Sequence, residues 1–149
     1  MRNFLIVIAY ILAVPALVLG PILLGAWLSL ERHEFGPWDP RYLLLIHGTS
    51  IGELGLLDPA PDSVAYAGQG QDGTAPAYAY VTFRTGLAPQ QVIDAYSLRC
   101  ETIQLATRRL PDEAQKLRLV CEREGVEIAI EADRSEDVTE VAIGGWEFE

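Results

Sequence analysis

The chain has 149 residues, half of them hydrophobic, and carries 11 Lys and Arg against 21 Asp and Glu, for a formal charge of −10. That length leaves room for one small domain beside an apolar segment at its start. So acidic a chain repels phosphate backbones instead of displacing their counterions, which excludes nucleic acid as a partner and steers cationic proteins toward it.

From Phe4 to Leu30 no residue is charged and most are Leu, Ile, Val, Ala or Gly. At about 1.5 Å per residue a helix over this run exceeds the ~30 Å hydrocarbon core of a bilayer. It is also longer than the roughly 7–15-residue core of a signal peptide. It lacks an A-x-A site at its end, and no Cys follows to accept a lipid. Residues 1–30 are therefore expected to be an uncleaved, single-pass transmembrane anchor, bent at Pro15 and Gly20-Pro21, where proline removes a donor. Arg2 precedes the run, while Glu31, Arg32 and Glu34 follow it. The positive-inside rule then places the N-terminus in the cytoplasm and the rest on the exoplasmic, periplasmic side of a bacterial inner membrane. Ala9, Ala13, Ala16 and Gly20 recur at steps of four, three and four. Such a strip of small residues lets a transmembrane helix of another subunit approach closely.

Residues 31–60 read as a juxtamembrane collar and docking segment. Trp27, Phe35, Trp38 and Tyr42 lie among charges and prolines, a mixture suited to anchoring in membrane lipid at the water boundary. Glu31, His33 and Glu34 lack a second cluster to complete a metal's coordination. "LLLIHGTSIG", residues 43–52, contains a literal G-x-S-x-G around Ser50. A serine elbow needs a strand-to-helix turn, with an acid and then a histidine later in the chain. The two histidines, His33 and His47, both precede Ser50, and the only lysine, Lys116, opens a strand where solvent would keep it charged. No catalytic residue is assigned, and a Ser50-dependent hydrolase is the remote alternative. Residues 43–57 are expected to form a strand entering a turn or a short helix, with Ser50 as a turn or capping residue.

Residues 61–149 read as an exoplasmic α+β domain. Ser63–Ala67 and Ala77–Arg84 alternate at period two and suggest a hairpin. Between them Gly68 to Gly73 spell G-x-G-x-x-G, but the segment leads toward a strand, whereas a dinucleotide fingerprint opens a helix. "GLAPQQVIDAYSLRCE" predicts a helix with Pro89 in its first turn and Val92, Ile93, Tyr96 and Cys100 on one apolar face. Residues 103–109 fit either a continued helix or a strand. "KLRLVCE", "GVEIAIEAD" and "VTEVAIGGWEFE" alternate as antiparallel strands with one wet face. Asp133, Glu136 and Asp137 lack the spacing of a calcium loop. Cys100 on the helix and Cys121 on a strand are the only cysteines, and in an exoplasmic domain they predict a disulfide; the alternative is two buried free thiols.

The expected fold is thus α+β, a single N-terminal transmembrane helix followed by one helix packed on a mostly antiparallel sheet. No cofactor or metal is implied. The function expected is that of a non-catalytic accessory subunit of a larger inner-membrane complex, respiratory, photosynthetic or transport, presenting an acidic domain to a cationic exoplasmic protein. The alternative is a free-standing, membrane-anchored ligand-binding or sensing module, whose pocket Tyr66, Tyr78, Tyr80 and Trp146 would line.

Overall fold

The computed structural model describes residues 19–21, 33–69, 76–111 and 116–147. Their elements are β1 (His33–Phe35), α1 (Arg41–Leu45), α2 (Ser50–Leu54), β2 (Ala65–Gln69) and β3 (Ala77–Thr85), then α3 (Pro89–Thr102), β4 (Ala106–Arg109), β5 (Lys116–Arg123), β6 (Val126–Ser135) and β7 (Val138–Glu147). The strands form one antiparallel sheet of seven in the order β1-β2-β3-β7-β6-β5-β4. The protein is α+β, with one long helix packed on that sheet. Among the described residues no helix is long and apolar enough to cross a membrane. The anchor expected over 1–30 lies outside the described residues apart from Leu19 to Pro21, which are helical and exposed.

Alternation in the sequence becomes the two faces of the sheet. On β3, Ala79, Val81, Phe83 and Thr85 are buried, on β6 Ile128, Ile130 and Ala132, and on β7 Thr139, Val141 and Ile143. All of these point to the side that carries the helices, because side chains two apart share a face. The β5–β6 hairpin turns at Gly125 (φ 78°) and the β6–β7 hairpin at Glu136 (φ 52°), so positive φ appears where the chain reverses.

After β3 the chain must travel from the middle of the sheet to its far edge, and α3 makes that crossing while packing on β4, β5 and β6. Pro89 opens the helix with its φ preset, and Gln91 Oε1 accepts from the Ala88 N–H at 2.9 Å. Val92, Ile93, Tyr96 and Cys100 are its buried residues, the face the spacing predicts. The ambiguity over 103–109 resolves at Gln104, whose φ of 63° ends the helix and turns the chain into β4. Cys100 and Cys121, both fully buried, form a disulfide across a separation of 21 residues and tie α3 to β5.

The described part of 31–60 belongs to this same core. β1 pairs with β2, and Phe35, Leu45, Ile46, Ile51 and Leu54 join the main buried cluster. Residues 43–57 hold the end of α1 and all of α2 instead of a strand. Two side chains of α3 fasten the segment that follows. Tyr96 Oη donates to the Gly55 carbonyl at 2.9 Å, and Arg99 donates to the carbonyls of Leu54 and Leu56, the latter at 3.3 Å. Burial pushes the Tyr96 phenol well above its ordinary range, only partly opposed by the guanidinium of Arg99 stacked 5.7 Å from its ring.

Candidate functional site

The stretch Gly48-Thr49-Ser50-Ile51-Gly52 is a connection between two short helices, and each residue type follows from that. Gly48 supplies a φ of 92° at the reversal after α1. Thr49 is the N-cap of α2: its Oγ1 accepts from the Gly52 N–H at 3.2 Å and donates to the Ile46 carbonyl at 2.7 Å. At Gly52 a Cβ would collide with the backbone oxygen of Ile46, which accounts for the second glycine. Ser50 sits one residue beyond the cap, buried, with its backbone N–H donating to Glu147 Oε1 at 2.6 Å. His47 is exposed. Lys116 lies on the opposite face of the sheet, 2.5 Å from Glu131. The helix-to-helix context and these placements leave Ser50 without the setting a nucleophile elbow requires. The capping role expected of Ser50 belongs to its neighbour Thr49.

Gly68 of the G-x-G-x-x-G stretch lies within β2, where it lets Leu45 of α1 approach; a Cβ there would stand 3.2 Å from the Leu45 Cβ. Gln69 pairs with Tyr78, so this stretch joins two strands of a hairpin, and residues 70–75 lie outside the described residues.

The most distinctive surface is the sheet face away from the helices. Cross-strand register places Tyr78 beside Trp146 and Tyr80 beside Gly144, on adjoining strands β3 and β7. The rings of Tyr78 and Trp146 are 4.5 Å apart between centroids, and those of Tyr78 and Tyr80 6.3 Å apart and nearly parallel. Gly144 makes this possible: a Cβ there would stand 2.9 Å from Tyr80 Cδ2, so the ring lies across the bare backbone of β7. Trp146 remains 46% exposed. One strand further, Glu127 pairs in register with Trp146, and Glu122 of β5 pairs with Glu127. Two carboxylates directly opposite each other repel, so this end of the face combines aromatic rings with concentrated negative charge. A cleft of about 690 Å³ opens there between Pro76, Glu122, Arg123, Val126, Glu127 and Trp146.

Six residues along the strands, about 20 Å away, the same face is charged in both senses. Lys116, Asp133, Glu140 and Arg84 follow one another in register across β5, β6, β7 and β3. Glu131, in the adjacent row, bridges Lys116 at 2.5 Å and Arg118 at 2.9 Å. Arg84, Lys116, Glu131, Asp133 and Glu140, with Ser63 and Thr82, border a groove of about 480 Å³. On the helix side the exposed Asp94 carboxyl is held below its usual range by hydrogen bonds from Arg109 and Gln90.

The expected pocket quartet separates. Tyr78, Tyr80 and Trp146 share the open face, but Tyr66 faces the helices, stacked on Phe35 at 6.1 Å and met edge-on by Tyr42 at 5.0 Å. Burial raises the Tyr66 phenol above its ordinary value, and neighbouring Tyr42 adds to this. Of the expected interfacial anchors, Phe35 is a core residue, because β1 pairs with β2 and turns it inward. Tyr42 is half-buried beside it, Trp38 is 96% exposed, and Trp27 lies outside the described residues. Leu43, 64% exposed on α1, joins Trp38 as an apolar side chain left outside the fold. Of the small-residue strip only Gly20 is described; Ala9, Ala13 and Ala16 are not. Among the described residues no group of three or more potential metal ligands occurs. The paired Glu122 and Glu127 were missed by sequence reasoning, although alternation within "CEREGVE" puts both on the wet face.

Comparison of the chain with family models, with curated proteins and with solved structures finds no match to any of them.

Proposed function

We propose that the chain is a non-catalytic accessory subunit of a larger inner-membrane complex of respiratory, photosynthetic or transport type. It is held by its N-terminal apolar run as a transmembrane helix, with the N-terminus cytoplasmic and the acidic domain periplasmic. The observation that carries this reading is the sheet face on which, among the described residues, no helix packs and where Tyr78, Tyr80 and the half-exposed Trp146 are gathered beside two carboxylates. Aromatic residues grouped on an open face are characteristic of surfaces that dock other proteins. The uncharged run from Phe4 to Leu30 supports the anchor, and Ala9, Ala13, Ala16 and Gly20 support a partner helix in the bilayer. Trp38 and Leu43, exposed within fifteen residues of that run's end, suit contact with lipid headgroups. The buried disulfide is consistent with an oxidising compartment.

Native membranes solubilised in mild detergent and separated under native conditions test the proposal. Migration in an assembly much larger than the chain is the expected result, and migration as a lone monomer overturns it. A second reading, a free-standing exoplasmic module for a small ligand, draws on the groove bordered by Arg84, Lys116, Glu131, Asp133 and Glu140, whose mixture of cations and anions would suit a zwitterion. A ligand-dependent rise in melting temperature, with every co-purified complex unaffected by deletion of the chain, would favour it.

A further inference from the structure

We infer that the aromatic end of the open face is a receptor for an arginine or lysine side chain presented by a partner protein. The inference rests on reading this face as a docking surface and adds the chemistry of what it receives. Trp146 offers the ring type with the strongest attraction for cations, and Tyr78 stands beside it at 4.5 Å. Glu127 lies in register with Trp146, and Glu122 in register with Glu127, so two carboxylates flank the rings on one side.

Opposed carboxylates are a cost to the sheet that packing here does not explain. Glu122 has exposed Arg108 at 3.8 Å, and among the described residues Glu127 forms no ion pair. Arg123 borders the same cleft, but its guanidinium is directed to the Ile103 carbonyl at 3.5 Å, and among the described residues it forms no ion pair with either carboxylate. An incoming guanidinium or ammonium would relieve the repulsion and lie against the indole. Its aliphatic stem would fill the cleft by Pro76 and Val126. The formal charge of −10 steers such a partner toward this surface before contact.

The test uses the full chain in detergent with Trp27 and Trp38 replaced by Phe, which leaves Trp146 as the only fluorophore of its kind. N-acetyl-arginine amide is titrated against it, with N-acetyl-citrulline amide as the uncharged isostere. The expected result is a saturable change in Trp146 emission with arginine, weakened by salt, and none with citrulline. Glu127→Gln is expected to weaken binding about three- to fivefold, as for an exposed ion pair, and Glu122→Gln similarly. Glu127→Gln should at the same time raise the unfolding midpoint, because it removes the opposed charge; a general loss of structure would lower it.

Equal responses to arginine and citrulline, or an unchanged arginine affinity in both glutamine variants, overturn the inference. So does a response to a neutral oligosaccharide such as a trimer of N-acetylglucosamine with arginine silent, which would make the rings a glycan platform. Silence toward arginine together with migration in a large assembly removes this inference and leaves the docking reading. Arginine binding by a chain that migrates alone does the reverse.

Discussion

Replacing Cys100 and Cys121 together by Ala removes the covalent tie between α3 and β5. The two cysteines are 21 residues apart, and a loop of that length, once closed, lowers the entropy of the unfolded chain by an amount equal to about 3 kcal/mol. Both side chains are fully buried beneath the helix, so the missing sulfurs also leave unfilled space, which brings the expected loss to roughly 3–5 kcal/mol. For a domain of this size that corresponds to a fall in Tm on the order of 10 °C. Urea unfolding followed by tryptophan emission, with and without reductant, measures it directly. The natural chain under reductant should approach the double variant only after it has been unfolded, since burial shields the bond from thiols in the native state. Stabilities that agree within about 1 kcal/mol would show that the disulfide does not hold the fold in this way, and a mass increase on alkylating the folded chain without reductant would show that the bond is absent.

Tyr96→Phe removes the bond to the Gly55 carbonyl and should cost about 1 kcal/mol near neutral pH. Because burial raises the Tyr96 pKa, the phenol's contribution is complete below about pH 10 and is lost as pH rises further toward the folded-state value. The phenylalanine variant lacks that loss, so the gap between the two proteins should narrow in alkaline unfolding curves; a gap that widens contradicts the burial argument. Glu147→Ala should cost about 1–2 kcal/mol by stripping the acceptor from the Ser50 N–H, with Glu147→Gln recovering most of it. A fluorophosphonate probe should leave Ser50 unlabelled in the native chain, and stoichiometric labelling would return the hydrolase to consideration.

The parts of this fold that were legible in the sequence are those governed by local periodicity. Val92, Ile93, Tyr96 and Cys100 declared their helical face, and alternation in "VEIAIEAD" declared which residues of β6 face inward. The disulfide followed from counting cysteines and placing one on a helix and the other on a strand. Strand order was not legible, because nothing local tells β3 that its partner is β7, more than fifty residues later. The same ignorance misplaced Phe35: among prolines and charges it resembles a boundary aromatic, and only the pairing of β1 with β2 turns it into the core. The glycines of G-x-S-x-G have a related, non-local origin. They answer to the crowded carbonyl of Ile46 and to a positive φ, demands that arise once α1 and α2 are set side by side. The aromatic face required register as well, since Tyr80 lies flat only because Gly144 is opposite it.

Under the proposed function another protein covers the sheet face that carries Tyr78, Tyr80 and Trp146. A photo-crosslinking amino acid placed at position 146, with the same group at position 98 on the exposed side of α3 as a control, tests it in intact membranes. One protein adduct of defined mass is expected from position 146, lost when Glu122 and Glu127 are both changed to Lys, and none from position 98. Adducts from neither position, or equally from both, would contradict the proposal.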